Sequence, residues 1–212
     1  MTATPTETPT ATSTTEGLPL PVALTSEAGA ILLRLARAVV AATASELPRT
    51  ADLASVLPPD PPTVLLAPAA AFVTLHQGGE LRGCVGCLAT DEPLWETVVS
   101  AAVSAASRDP RFSPVAEHEV ASLTIDVSVL GPAVPLRDPS AFQAGLDGII
   151  VERGGRRALM LPEVATDQGW GVREMLETTC RKAGLSRDAW RDPAARILVF
   201  RTARVSEAGD TD

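Results

Sequence analysis

Apolar residues recur every three or four positions from Ser26 to Ser45, with Ile31, Leu32, Leu35 and Val39 on one face. That period predicts a helix, with Ser26 as its cap. Residues 47–62 hold five prolines and read as an irregular connection. Two apolar runs, Ala71–His76 and Leu81–Leu88, flank Gly78-Gly79 and predict a β-hairpin. A second helix is expected over Pro93–Ser107, capped by Asp91 and ended by Asp109-Pro110. Leu123–Val129 alternates strictly, the mark of a strand with one apolar and one polar face, and Asp126 lies on the polar one. Asp147–Val151 and Arg156–Leu161 flank Arg153-Gly154-Gly155 as a second hairpin. A helix over Gly171–Lys182 stopped by Gly184, and a last strand over Arg196–Arg204, complete the pattern. The order α-ββ-α-β-ββ-α-β favours an α+β fold, an antiparallel sheet with flanking helices, over a doubly wound one. There is no internal repeat, glycine-rich dinucleotide fingerprint or phosphate loop.

Composition narrows the function classes. A 212-residue chain that is 45% hydrophobic can bury a sizeable core. A net charge of −8 with no basic run argues against nucleic acid as a partner. Residues 1–17 are rich in Thr and Pro, lack a signal-peptide pattern and are expected to be a disordered tail. No apolar run approaches the ~20 residues of a membrane span. Three cysteines do not make a disulfide framework, so a reducing, cytoplasmic setting is expected. Residues 18–205 then read as one domain, and 206–212 as an acidic, frayed tail.

The candidate chemistry centres on Leu81-Arg82-Gly83-Cys84-Val85-Gly86. In a regular strand Arg82 and Cys84 share a face, and a neighbouring cation lowers a thiol's pKa. Gly83 and Gly86 leave room for a ligand or another backbone, and the amides around them form a candidate anion nest. The alternative is a small buried cysteine closing a turn. A two-residue turn at Gly78-Gly79 sets Cys84 opposite Val73 and Arg82 opposite Leu75, with His76 on the other face, which disfavours a Cys84–His76 pair. Cys84 and Cys87 stand three apart in a strand, ~10 Å between Cα atoms at about 3.3 Å per residue, too far for a disulfide. No second Cys or His pair completes a zinc set, so neither a metal nor a cofactor is expected. Arg108-Asp109-Pro110-Arg111-Phe112 is either an anion site or a helix end in which Asp109 pairs with Arg111. Asp126 is either solvated or paired with Arg82 or Arg111. Trp170, Trp190 and Phe200 read as core anchors. His76 and His118 receive no role, and Glu163 sits favourably in the first turn of a helix after Leu161.

The Leu81–Gly86 motif resembles the LRGCIG hallmark of the AMMECR (AMME chromosomal region) domain family. The likeness continues through Asp109-Pro110-Arg111-Phe112-Ser113-Pro114, Leu123–Leu130, Asp147-Gly148-Ile149, Leu161-Pro162-Glu163-Val164 and Cys180-Arg181-Lys182-Ala183-Gly184-Leu185. It covers about Leu24 to Val205. The resemblance implies two unequal subdomains around antiparallel sheet, with the Arg82–Gly86 segment as the functional patch. It also implies the AmmeMemoRadiSam group, often encoded beside Memo-like proteins and radical SAM enzymes, whose reaction is not established. Ala101 and Glu163 depart from the family's common Asn and Gln. Two function readings follow. In one, Cys84, Arg82 and Asp109 are catalytic, and Gly83, Gly86, Arg111 and Phe112 bind a small anionic substrate. In the other, the same patch binds a Memo-like or radical SAM partner without catalysis.

Overall fold

The protein is described by a computed structural model covering residues 22–45, 56–87 and 91–209. The tail expected over 1–17 and most of the proline-rich connection lie outside the described residues. Helix α1 spans Ser26–Ala44, and its cap is Thr25 rather than Ser26: the Thr25 hydroxyl accepts the Ala28 N–H at 3.2 Å. Helix α2 spans Leu94–Ser107 and follows Pro93, with no side-chain cap from Asp91. Strands β1 (Ala71–Gln77) and β2 (Glu80–Cys87) turn at Gly78 and Gly79, whose φ of 61° and 88° suit a two-residue hairpin turn.

Strands β3 (Leu123–Leu130) and β8 (Thr202–Ser206) join that hairpin in one four-stranded sheet of order β2-β1-β3-β8. The second sheet, β4-β7-β5-β6, is built from β4 (Val134–Pro135), β5 (Gly148–Arg153), β6 (Arg156–Met160) and β7 (Arg196–Phe200). Every pairing in both is antiparallel, so the fold is α+β, with two sheets where the alternation pattern alone implied one. The strand expected over Arg196–Arg204 is the reason. It breaks at Arg201, and its halves serve different sheets. Arg201 donates from Nε to the fully buried Asp147 at 3.0 Å and from Nη2 to Gln143 at 3.0 Å, which locks the break.

One face of the first sheet, through Val73, Leu75, Ile125, Val127 and Val129, packs on α1 and α2 as the main core. A second core lies between the second sheet and helices α3 (Pro162–Gln168) and α4 (Val172–Lys182). Trp170 and Trp190 pack against it, as expected of anchors. Gly184, at φ 70°, follows α4 as its stop. A third cluster, with Leu130, Ile150, Leu159, Leu198 and Phe200, meets Ala70 and Phe72 and joins the two lobes. Of the tail expected from Ser206, Ser206 closes β8 and Glu207 is held. Glu207 accepts the Ile125 N–H at 2.9 Å and pairs with Arg37, which also donates to the carbonyls of Val120 and Leu123.

The hairpin register differs from that of a regular two-residue turn. His76 faces Leu81, but Leu75 faces Gly83, Thr74 faces Cys84 and Val73 faces Val85, which leaves Arg82 as the extra residue of a bulge. Gly83 then presses against α2, where a Cβ would stand 2.5 Å from the Ala105 carbonyl oxygen. That contact is to backbone, which cannot move aside cheaply. Gly83→Ala is therefore expected to destabilise the fold by about 1–3 kcal/mol. Urea unfolding should show a lower midpoint with an unchanged slope; an unaltered midpoint would mean that helix and strand separate freely here.

Candidate functional site

The bulge reverses the facing expected for Cys84. Thr74, His76 and Asp126 belong to the polar face of the first sheet, and pairing Cys84 with Thr74 puts the thiol on that face. Cys84, Thr74 and Asp126 then form one row across three strands, with His76 two residues along from Thr74. The Thr74 hydroxyl is hydrogen-bonded to Cys84 Sγ at 3.3 Å. Asp126 is 3% exposed and pairs with His76 Nε2 at 3.1 Å and Arg204 Nη2 at 2.6 Å, not with Arg82 or Arg111.

Arg82 points to a different partner from the one its position in a regular strand implies. Its Nε and Nη2 grip the two Glu119 oxygens, both at 2.9 Å, and its Nη1 donates to the Ser113 carbonyl at 3.0 Å. This bidentate pair holds the Glu119 carboxyl down to about 2, with the Ala116 amide adding to the effect. The guanidinium thus staples β2 to the segment after α2, and the cations that most pull the thiol down are Arg111 and Lys182.

Asp109 supplies the second tie. It is 5% exposed, accepts the Cys84 N–H at 2.8 Å, and takes the Arg111 backbone N–H, Nε and Nη2 at 3.1, 2.9 and 2.7 Å. The Arg111 side chain, foremost, holds the Asp109 carboxyl far below the ordinary range. Arg111 also reaches the Cys84 carbonyl at 3.3 Å and lies 5.4 Å over the Phe112 ring. Asp109, Arg111 and Phe112 therefore gather beside Cys84, with Asp109 and Arg111 paired as the helix-end alternative has it. The amide expected to form an anion nest at Cys84 is taken by Asp109. Gly83 and Gly86 lie within the strand ladder, where Gly86 closes on the Ala71 carbonyl and the Phe72 ring.

Cys84 is half-buried, and burial pushes its thiol above the ordinary value. The Thr74 hydrogen bond, Arg111 and Lys182 pull it down, and Glu163 pushes it up. The last two belong to the other lobe: Glu163 to the first turn of α3 and Lys182 to the end of α4. Burial raises the Glu163 carboxyl and lowers the Lys182 ammonium, although Lys182 keeps an exposed surface. Thr74, Lys182 and Arg204 carried no signal in the sequence. Gly83 did, because a glycine inside a strand marks a bulge or a close backbone approach, and here it marks both. Ala101 is buried in the main core between α2 and its neighbours.

Two surface hollows, of about 360 and 460 Å³, lie away from Cys84. Arginines 153, 156, 157 and 196 line the first and Leu130, Ile150 and Phe200 the second, and neither holds a cysteine, histidine or serine. Among the described residues no group of His, Cys, Asp and Glu is placed to hold a metal ion, and no helix is long and apolar enough to cross a membrane.

The AMMECR1 family model matches residues 33–205. A protein of Methanothermobacter thermautotrophicus is 44% identical over 159 residues, covering 72% of this chain and 83% of its own length. One from Thermococcus gammatolerans is 39% identical over 191 residues, covering 85% of this chain and 90% of its own. The crystal structure of the uncharacterized protein PH0010 from Pyrococcus horikoshii superimposes with a TM-score of 0.77 at 34% identity, over 85% of this chain and 92% of that one.

The two lowered carboxyls give a pH prediction. A carboxyl whose pKa is depressed by folding adds stability that is complete above its unfolded value, about 4, and is lost as pH falls through the folded value. Stability should therefore decline from about pH 4 downward. Asp109→Asn should cost about 1–3 kcal/mol at pH 7, discounted for the solvent around Arg111, and flatten that acid limb. Urea unfolding from pH 2 to 7 measures both; an acid limb as steep as the wild type would assign the loss to other carboxyls.

Proposed function

This chain belongs to the AMMECR1 family, and on that footing we propose that it is an enzyme in which Cys84 reacts covalently with a small anionic substrate at the junction of the two lobes. The observation that carries the reading is the setting of the thiol. It keeps solvent access, sits beside Arg111 within the field of Lys182, and is backed by a polar row that ends in the buried Asp126.

Arg111 and Lys182 attract the anion, one from each lobe. Asp109 fixes the first of them and the Cys84 backbone at once. In the chemical step the Cys84 sulfur forms a bond to an electrophilic carbon as that carbon loses its leaving group. The leaving group departs with the proton that the thiol gave up, and water or a second substrate then takes the carbon and restores the thiol. Arg82 serves by holding the bulge, through Glu119, not by activating sulfur. A second reading keeps the partner-binding alternative. Strand β2 is an edge strand with Leu81 40% exposed, a surface on which a Memo-like or radical SAM protein would dock.

Two alkylating reagents of equal size and different charge separate these readings. Peptide mass spectrometry of native protein should show Cys84 alkylated, with iodoacetate favoured over iodoacetamide about five-fold relative to glutathione, the ~1 kcal/mol expected of cations at contact distance in a solvated site. Lys182→Ala should erase most of that preference, and Arg82→Ala should leave it intact in protein that remains folded. A Cys84 that resists both reagents until unfolding is a structural thiol, and the partner-binding reading then stands.

A further inference from the structure

On the same face of the sheet as Cys84, the His76 imidazole is held at 3.1 Å by a buried aspartate, in an arrangement for which neither the family match nor the motif gives a role. Asp126 comes from β3, its side chain 4% exposed, and Arg204 from β8 anchors its Oδ2 at 2.6 Å. The His76 side chain is 29% exposed, and its Nδ1 has no hydrogen-bond partner among the described residues. With Nε2 beside the carboxylate, the tautomer that carries its proton on Nε2 leaves Nδ1 with a free lone pair. Asp126 Oδ1 is buried without a partner, so the carboxylate keeps acceptor capacity for the charge that imidazole gains on protonation.

The bulge at Arg82 makes His76 a diagonal neighbour of Cys84, ~7–8 Å between Cα atoms and within reach of long and ring side chains. The Thr74 hydroxyl, bonded to Sγ at 3.3 Å, lies between them on the same strand as His76. We propose that His76 is the base that takes the Cys84 proton, positioned by Asp126 and, through it, by Arg204. The S–H bond breaks with its electron pair left on sulfur. The proton passes to Nδ1 across the short gap that the Thr74 hydroxyl or one water spans, and a thiolate–imidazolium pair results. The same imidazolium then returns the proton to the leaving group. A base answers the electrostatics of the site, because burial keeps the resting thiol protonated and Arg82 is engaged elsewhere.

This assignment rests on the reading of Cys84 as a reacting thiol, and one experiment tests the two separately. The rate of iodoacetamide alkylation of Cys84 is followed from pH 5 to 10 by peptide mass spectrometry. In that reaction the new S–C bond forms as iodide leaves. The groups that face the pair are Thr74 beside it, Asp126 and Arg204 on the neighbouring strands, Arg111 after α2, and Glu163 and Lys182 from the other lobe. The wild type should show two rises. The first comes from the base and the second from the thiol itself, which burial places above the ~8.5 of a free thiol.

His76→Gln should remove the first rise, lowering the rate at pH 7.5 at least ten-fold, and leave the second in place. Asp126→Asn should also weaken the first rise, because a neutral amide beside Nε2 no longer stabilises the imidazolium, while labelling above pH 9 persists. With only two histidines in the chain, an imidazole NMR titration assigned by its absence in His76→Gln should match the first rise. A first rise that survives in His76→Gln overturns the assignment and leaves Cys84 as a reacting thiol. Absence of any native labelling overturns both.

Discussion

The arrangement depends on one buried carboxylate. Asp109 leaves the end of α2 and binds the Cys84 amide on β2 and three donors of Arg111. An edge strand such as β2 exposes alternate amides on its outer side, and this one is answered from outside the sheet. Without it, a part-buried donor would be orphaned at a cost of about 1–3 kcal/mol. With it, the end of α2 is drawn onto β2 closely enough that only glycine fits at position 83, under the Ala105 carbonyl. Arg82 must then step out of the ladder as a bulge, where Glu119 receives it. Bulge, glycine and ion pair are three consequences of the same short approach.

The second constraint is the break at Arg201. A strand that changes sheets midway couples two lobes with only a few residues, and the fully buried Asp147 keeps that corner from straightening. The lobes meet through Phe200, Ile150 and Phe72 on the apolar side. On the polar side Glu163 and Lys182 act on Cys84 through their charges. The thiol therefore has an environment that neither lobe makes alone. Its backbone and one cation come from the first lobe, its second cation and a carboxyl from the other.

How much of this could be read in the chain follows from range. The hairpins were legible because Gly-Gly turns act over four residues, and β3 because its alternation is local. The pairing of Asp109 with Arg111 was legible for the same reason. The register of β2 was not, since a bulge is set by what presses on the strand from α2, about twenty residues later in the chain. A one-residue slip moves every side chain to the opposite face. That slip turned Cys84 from the side away from His76 to the side beside it. Lys182 and Arg204 lie about 100 and 120 residues further along, and no spacing rule connects them to Cys84. The resemblance drew attention to the Arg82–Gly86 segment, but it did not decide what each residue there does.

That distinction matters most for Arg82. An arginine two residues from a cysteine invites the view that it activates the sulfur, yet two engagements decide against it. Both arms of the guanidinium are committed to Glu119, and its remaining donors go to main-chain carbonyls. A cation neutralised by a bidentate carboxylate projects little field on a third group. Burial therefore dominates at Cys84, and the protonated thiol is the resting form. Such a thiol is a weak nucleophile by itself, because the thiolate is the reactive species. Reactivity then has to be supplied when substrate arrives. A base held ready on the same sheet face supplies it without the standing cost of a buried thiolate.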